Sequence, residues 1–304
     1  MEISARVIDR FEIGSDETRF GPLEFLGGLE LTSPSRIFGS MSAIRLSDAG
    51  TSFIGVADTG FWFSGGIVRD EDLTPVGVSR FSMAPIFDGD NRLTRDKGRT
   101  DAEGLSVENG VATVSFERSH RISEYRIGTE GVPALIGDLD FLVPAKELRR
   151  NRGFETIAPA PPEGPLAGAR VAIAEMSLDA AGNIFAAILE GPGKGIFTVT
   201  RSGYDITDGA FLPDGDLLLL ERTFSMARGV AMRLRRIESD TIGPGKVADG
   251  PVLFEADMGY QIDNMEGLDV WRREDGALIL SLVSDDNQSI LQRNLYLEFR
   301  LHDE

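Results

Sequence analysis

The sequence predicts an all-β fold, a β-propeller of residues 1–304 with five visible blades and room for a sixth. Two observations predict it: a hairpin-like unit recurs along the chain, and 35 of the 304 residues are glycine, above the usual share of about 7 %. High glycine content is typical of turn-rich β proteins. The apolar runs are strand-sized, and none approaches the roughly 18 residues of a membrane helix.

Five segments share one plan: a short apolar strand, a turn containing Gly or Asp, and a second apolar strand that ends in a carboxylate. These segments are residues 42–58, 102–117, 154–175, 207–221 and 265–285. Turn pairs such as Asn109–Gly110 supply the positive φ values that hairpins need. A further strand candidate follows each acidic end: GGIVR, SEYRIG, GIFTVT, VAMRLRRI and NLYLEFRL. Such repetition of one supersecondary unit indicates propeller blades.

The ends of the chain indicate how the ring closes. Strand candidates begin and end the chain, ARVIDRFEI and NLYLEFRL, and we expect N- and C-terminal strands to pair in one blade, because this removes exposed edges. The stretch GPLEFLGGLELTS is the candidate for a degenerate sixth blade. A sandwich or barrel is the structural alternative, but it does not explain why the same strand end carries an acid each time. AKELRRN, residues 145–151, is the best helix candidate.

Two series of acids recur at equivalent repeat positions, and a propeller brings such positions to one channel mouth. The series that opens the repeats is Glu103, Glu155, Asp208 and Glu266, and the series that closes the second strand is Asp58, Glu117, Glu175, Glu221 and Asp285. Like charges this close cannot all stay ionised without compensation. We expect protonation, arginine partners or a bound cation. Oxygen-only ligands favour Ca²⁺, with Mg²⁺ or Mn²⁺ as alternatives, and zinc is disfavoured because only His120 and His302 are available.

Three arginines adjoin these acids: Arg118 and Arg222 follow acidic strand ends, and Arg152 precedes the third repeat. Guanidinium groups at a carboxylate-lined mouth could bind a phosphate or carboxylate bidentately. Simple charge balance is the alternative reading of each arginine.

Composition excludes several classes of function. With 31 basic and 49 acidic residues the net charge is −18, which argues against nucleic acid or anionic membranes as partners. Cysteine is absent, so disulfides, thiolate metal sites and thiol nucleophiles are excluded. The chain has no GxSxG elbow for a serine hydrolase, and GPGKG at 191–195 lacks the spacing of a phosphate-binding loop.

Five stretches carry a family resemblance: NRGFETIA, DITDGAFLPDGDLLLLERTFS, NMEGLDV…LVSDDNQSILQRNLYLEFRL, MSAIRLSDAGTSFIGVADTGFWF and DAEGLSV…SFERSHRISEY. Together they resemble the bacterial phytase-like family, known as esterase-like activity of phytase, over nearly the whole chain. It implies a propeller fold and hydrolysis of esters, including phosphate esters. Carried over residue by residue, it touches Asp58, Glu103, Glu117, Arg152, Glu155, Glu221, Arg222, Glu266, Asp285, Asp286 and Asn287. The chain departs from the family pattern at FET (154–156) and after Asn287, where an aromatic residue is common. Calcium-dependent propeller phytases are a distinct family, whose motifs the chain lacks.

The leading hypothesis is a metal-assisted hydrolase of phosphate or other esters, acting on a small molecule at the channel mouth. We expect the cation at a set of oxygen ligands: Asp58, Glu103, Glu155, Glu175, Glu266, Asp285, Asp286 and Asn287. Glu117 or Glu221 is the expected general base, and Arg118, Arg152 and Arg222 are expected to bind substrate.

Two alternatives stay open. One is a non-enzymatic exported propeller that binds a ligand or partner and holds a structural Ca²⁺, and the other is a lactonase-like calcium propeller. We expect a monomer without membrane insertion. The resemblance favours a periplasmic or secreted location, although no signal peptide is visible.

Overall fold

The computed structural model describes residues 1–87, 97–128 and 132–302, and strands dominate them. In chain order the strands are β1 (Ser4–Ile8), β2 (Arg19–Phe20), β3 (Leu23–Thr32), β4 (Met41–Ser47), β5 (Ser52–Ala57), β6 (Phe61–Arg69), β7 (Pro75–Pro85), β8 (Ala102–Glu108), β9 (Val111–Phe116), β10 (Arg121–Arg126), β11 (Ala134–Leu139), β12 (Phe154–Pro159), β13 (Arg170–Leu178), β14 (Ile184–Ile188), β15 (Gly195–Val199), β16 (Asp205–Phe211), β17 (Leu217–Ser225), β18 (Gly229–Ile237), β19 (Val247–Ala248), β20 (Val252–Ala256), β21 (Asn264–Arg272), β22 (Leu278–Asp285) and β23 (Asn294–Leu301).

These strands form five sheets, the blades of a five-bladed propeller, which confirms the predicted fold. From the axis outward, blade 1 is β4-β5-β6-β7, blade 2 is β8-β9-β10-β11, blade 3 is β12-β13-β14-β15-β19, blade 4 is β16-β17-β18-β20 and blade 5 is β21-β22-β23-β3-β1, with β2 paired to β3. Pairing is antiparallel except for the short β15–β19 contact. The innermost strands β4, β8, β12, β16 and β21 contact one another in turn around the axis.

The ring closes in blade 5, where the last strand of the chain lies between β22 and the early strand β3. The pairing runs from Leu23 opposite Leu301 to Leu31 opposite Asn294. The predicted pairing of N- and C-terminal strands is therefore confirmed. GPLEFLGGLELTS completes blade 5 as β3, so it does not begin a sixth blade.

Deleting residues 1–32 is expected to destroy the soluble fold, because it removes β1 to β3 and leaves β23 as an edge strand with an unpaired side. Phe25, Leu29 and Leu31 are almost fully buried, and burying each such side chain contributes about 1.5–3 kcal/mol. Size-exclusion chromatography should show aggregates. A control deletion of residues 1–3, which spares β1, should stay soluble and native. A monomeric, cooperatively unfolding 33–304 fragment would contradict this prediction.

The hydrophobic core lies between the faces of neighbouring blades, and β17 shows why its sequence is a continuous apolar run. Leu217 and Leu219 pack into the core shared with blade 3. Leu218 and Leu220 face the opposite way, into the core shared with blade 5. Because side chains alternate along a strand, a strand that is covered on both faces needs apolar residues at every position.

Local signals are confirmed at the turns but not at the predicted helix. Asn109 and Gly110 have φ of 49° and 76°, as a type I′ hairpin requires. AKELRRN forms turns instead of a helix, since so short a segment does not sustain a helix without tertiary support. The single α-helix in the described ranges is Lys97–Thr100, and no helix there is long and apolar enough to cross a membrane.

Candidate functional site

Each innermost strand contains a β-bulge near its start, at the same level in all five blades. The pairing with the second strand skips one residue between Met41 and Ala43, and one residue at the matching point of β12, β16 and β21. In β8 the pairing is interrupted over Glu103 and Gly104. A bulge inserts an extra residue and re-aims its side chain. The skipped positions, here called the inner ring, are Ser42, Glu103, Glu155, Thr207 and Glu266. Four of them line one cavity of about 760 Å³.

A second set of equivalent positions, the outer ring, lies on or directly after each second strand, opposite the start of the innermost strand. In each blade, the residue just before the bulge pairs with a residue of the second strand, and the outer-ring residue is the next one along that second strand. These residues are Asp58, Glu117, Glu175, Arg222 and Asp285. All five line the same cavity. The predicted convergence of the two series at one channel mouth is therefore observed in blades 1, 2, 3 and 5.

The predicted alignment of blade 4 is wrong by one residue in both series. The register places Thr207 and Arg222 at the ring positions, where the sequence repeats suggested Asp208 and Glu221. A one-residue shift turns a strand side chain to the opposite face. Neither Asp208 nor Glu221 lines the cavity, although Glu221 was an expected general base.

Asp208 and Glu221 instead form ion pairs with arginine side chains. Asp208 accepts two hydrogen bonds from Arg45, at 2.9 and 3.0 Å. Glu221 is fully buried and accepts hydrogen bonds from Arg233 at 2.5 Å and Arg235 at 2.6 Å. The Asp208–Arg45 pair therefore joins blade 4 to blade 1, whereas the pairs of Glu221 lie between neighbouring strands of blade 4.

Two groups of carboxylates approach closely enough to hold a cation. One oxygen each from Asp101, Glu103 and Glu117 lies within 4.8 Å of the others, and the same is true of Glu117, Glu155 and Glu175. Glu117 belongs to both groups. The first group comes from blade 2 and the segment just before it, whereas the second joins blades 2 and 3.

Guanidinium groups occupy the other side of the cavity. Arg222 contacts Glu266 at 3.1 Å and Glu175 at 3.7 Å. Arg152 bridges Glu175 and Asp205, both at 3.1 Å. The carboxylates of blades 2 and 3 thus lie on one side of the cavity and the arginines of blades 3 and 4 on the other, with Glu175 at the boundary.

Burial and like charge raise the pKa of the carboxyls in this cavity. Desolvation by burial is the largest cause of the pKa shift at each of these carboxyls. At Glu103 and Glu155 the charges of neighbouring carboxylates add to it, and the pKa of each of these two groups lies well above its ordinary value. The pKa of Glu117 rises to about 7, mainly through burial and then the charge of Glu175. Burial also raises the pKa of Glu175 to about 7, against the opposing effect of Arg222 and Arg152. The pKa of Asp285 rises to about 8. Carboxyls so shifted accept either protons or a cation.

These shifts predict how chelated protein responds to pH. Each carboxyl has a folded-state pKa above its unfolded value, so its contribution to stability is fully present below the unfolded pKa and is lost as pH rises through the folded pKa. Melting temperature measured in chelator should therefore fall from about pH 5 to about pH 8. Saturating Ca²⁺ should flatten that fall, because a cation stabilises the ionised carboxylates. A rising melting temperature over this range in chelator would refute the prediction.

Comparison with known proteins places the chain in a family. The family described as phytase-like, esterase-like activity of phytase, matches residues 36–288. The chain belongs to the phytase-like family. No curated protein gave a match.

Two solved structures align with most of this phytase-like propeller. The endo-arabinase of Bacteroides thetaiotaomicron VPI-5482 aligns with a TM-score of 0.50 and 13 % identity, over 88 % of this chain and 94 % of that one. The PQQ-bound aldose sugar dehydrogenase of Streptomyces coelicolor aligns with a TM-score of 0.47 and 12 % identity, over 98 % of each chain. At such identities the likeness concerns the fold alone.

The remaining predicted residues of the phytase-like propeller lie at or beside the cavity. Arg118 contacts Asp101 at 2.7 Å and does not line the cavity. Asn287 lines it and donates its backbone N–H to Asp285 at 2.7 Å. Asp286 faces away from it, accepting hydrogen bonds from the Ser40 backbone N–H at 3.1 Å and the Asn294 amide at 2.9 Å.

Sequence reasoning missed several residues in or beside the cavity. Asp101 belongs to the first carboxylate group and lies two positions before Glu103, directly before the second repeat. Asp205 opens the DITDGAF segment and binds Arg201 at 2.7 Å. Ser42 lies at the inner-ring position of blade 1, and aligning MSAI with MEGL could have identified it.

Proposed function

We propose that the cavity is the active site of a metal-assisted hydrolase of phosphate or other esters. The observation that carries this proposal is the pair of carboxylate groups that share Glu117, next to Arg152 and Arg222. Membership of a family described as having esterase-like activity supports the same reaction class.

The donor set fits a hard divalent cation. Eight carboxylates and four arginines line the cavity within the described ranges, an excess of four negative charges when all are ionised. No arginine or lysine of the described residues lies within ion-pair distance of Glu103, Glu117 or Glu155. All of these donors are oxygens, which favours Ca²⁺ and allows Mg²⁺ or Mn²⁺. Glu103, Glu117 and Glu155 are the residues that would hold it.

A bound divalent cation would polarise the ester oxygen and make a bound water more acidic. Arg152 and Arg222 bind the anionic part of the substrate and offset the charge that develops during reaction. Glu117 was an expected base, but its place in both carboxylate groups makes it a ligand in this proposal. Glu175 is the general base, because it lies between the carboxylates and the arginines and its pKa of about 7 suits proton transfer near neutral pH.

The test compares chelated and Ca²⁺-loaded protein on p-nitrophenyl phosphate, p-nitrophenyl acetate, phytate and a panel of lactones. Turnover should require the metal. Glu175→Gln should lower kcat by about 10²–10⁴-fold while the bound metal, measured by elemental analysis, is retained. If Ca²⁺-loaded protein turns over none of these substrates faster than Glu175→Gln, the proposal fails.

The second candidate is a non-enzymatic propeller in which the cation is structural. It is favoured by the group Glu117, Glu155 and Glu175, whose members come from two blades, so a bound ion would tie the blades together. It predicts a large rise of melting temperature with Ca²⁺ and no catalysis. Turnover of lactones alone would instead favour the lactonase-like alternative.

A further inference from the structure

A second cavity lies at the opposite end of the propeller. Its volume is about 920 Å³, within the range of small-molecule sites. It is lined where the innermost strands end, and it extends between blades 1 and 2. Much of the wall is apolar and includes Ile54, Trp62, Met83, Phe211 and Val270. We call it the rear cavity.

Arg45 separates the rear cavity from the hydrolase site. Its guanidinium spans the channel from blade 1, donating to Asp208 of blade 4 at 2.9 and 3.0 Å and to the Leu268 carbonyl of blade 5 at 2.9 Å. Asp208 also accepts the Leu268 backbone N–H at 2.9 Å. The ion pair is almost fully buried, so it plugs the channel between the two cavities.

The charge at the floor of the rear cavity is unbalanced. Among the described lining residues, Arg45 and Asp269 are the charged ones, and the guanidinium of Arg45 is already bound by Asp208. Asp269 is 8 % exposed and accepts the Leu46 backbone N–H at 2.7 Å. Asp208 and Asp269 therefore share the single positive charge of Arg45, which leaves one negative charge in excess beside an apolar cavity. Such a site favours a ligand that brings one positive charge.

We propose that the rear cavity binds a small apolar molecule bearing a single protonated amine, with the amine directed to Asp269. The apolar wall buries the body of the ligand, and the carboxylate selects its charge. An anionic ligand is disfavoured because it would face Asp269 across a low-dielectric space. The net charge of −18 also favours approach of cations.

The test uses three probes that differ in charge: 2-phenylethylamine, 2-phenylethanol and phenylacetate. Isothermal titration calorimetry on the Ca²⁺-saturated full chain should show the amine binding about tenfold more tightly than the alcohol, the usual effect of one added ion pair. Phenylacetate should not bind measurably. Failure of the amine to bind at millimolar concentration, or equal binding of amine and phenylacetate, would overturn the proposal.

Variants distinguish the rear cavity from the acidic hydrolase site, which also attracts amines. Asp269→Asn keeps an acceptor for the Leu46 N–H and should remove the preference for amine over alcohol. Ala84→Phe, on β7 in the cavity wall, should block both probes by filling space, while metal content stays unchanged. The exposed Asp140→Asn should behave as wild type. Amine binding that survives in both cavity variants would place it in the hydrolase site and refute the proposal.

Discussion

Replacing Glu117 with glutamine is expected to abolish both cation binding and hydrolysis. Among the three proposed ligands, Glu117 has an oxygen within 4.8 Å of one from Glu103 and of one from Glu155, so its loss removes the ligand that connects the other two. Glutamine keeps the size of the side chain but lacks the charge on which Ca²⁺ affinity depends. Elemental analysis should find no bound metal, and activity should fall about 10²-fold or more.

The matched control for this variant is Glu163→Gln, the same change on an exposed turn. It should retain both metal and activity. Comparison with Glu175→Gln separates the two roles, because a lost ligand removes the metal whereas a lost base does not. Full metal content and full activity in Glu117→Gln would contradict its assignment as a ligand.

Replacing Arg45 with methionine is expected to cost about 3–5 kcal/mol of unfolding free energy, because it leaves Asp208 as a buried charge without its partner. Urea unfolding followed by circular dichroism measures the loss. The double variant Arg45→Met/Asp208→Asn should recover part of it, since the uncompensated charge is gone.

An exposed pair provides the comparison for the Arg45 variant. Arg6→Met breaks the ion pair with Glu30, in which the arginine side chain is 65 % exposed, and such surface pairs contribute less than about 1 kcal/mol. If Arg45→Met costs no more than Arg6→Met, the channel plug does not stabilise the ring.

The sequence was sufficient to predict the fold because the information is local and repeated. Turn pairs such as Asn109–Gly110 indicate hairpins, and runs such as Leu217–Leu220, placed directly after such turns, favour strands covered on both faces. The position of GPLEFLGGLELTS was harder to predict. A strand of this kind could pair within a sixth blade or within a fifth blade that N- and C-terminal strands build together. Only the pairing with β23 decides between them.

In blade 4 the predicted site residues differ from the observed ring positions by one residue in each series. Thr207 and Asp208 are adjacent, as are Glu221 and Arg222, and the choice within each pair depends on a bulge that leaves no signature in composition. The acids suggested a consistent series, but the register assigns Asp208 and Glu221 to stabilising ion pairs. Asp101 and Asp205 could not be found from the repeats, because each precedes the acid that recurs in its segment.

Closure in blade 5 also constrains the order in which the protein folds. Glu24 and His302, which are hydrogen-bonded, are 278 residues apart in sequence. During synthesis β3 emerges from the ribosome long before its partner β23, so the edge of β3 that pairs with β23 stays open while the other four blades form, although β1 and β2 can already pair with β3. Pairing over such a span carries a large loop-closure entropy and is slow. Fusing the two termini and opening the ring between blades would make every blade contiguous in sequence, and such a permuted chain should refold faster than the natural one.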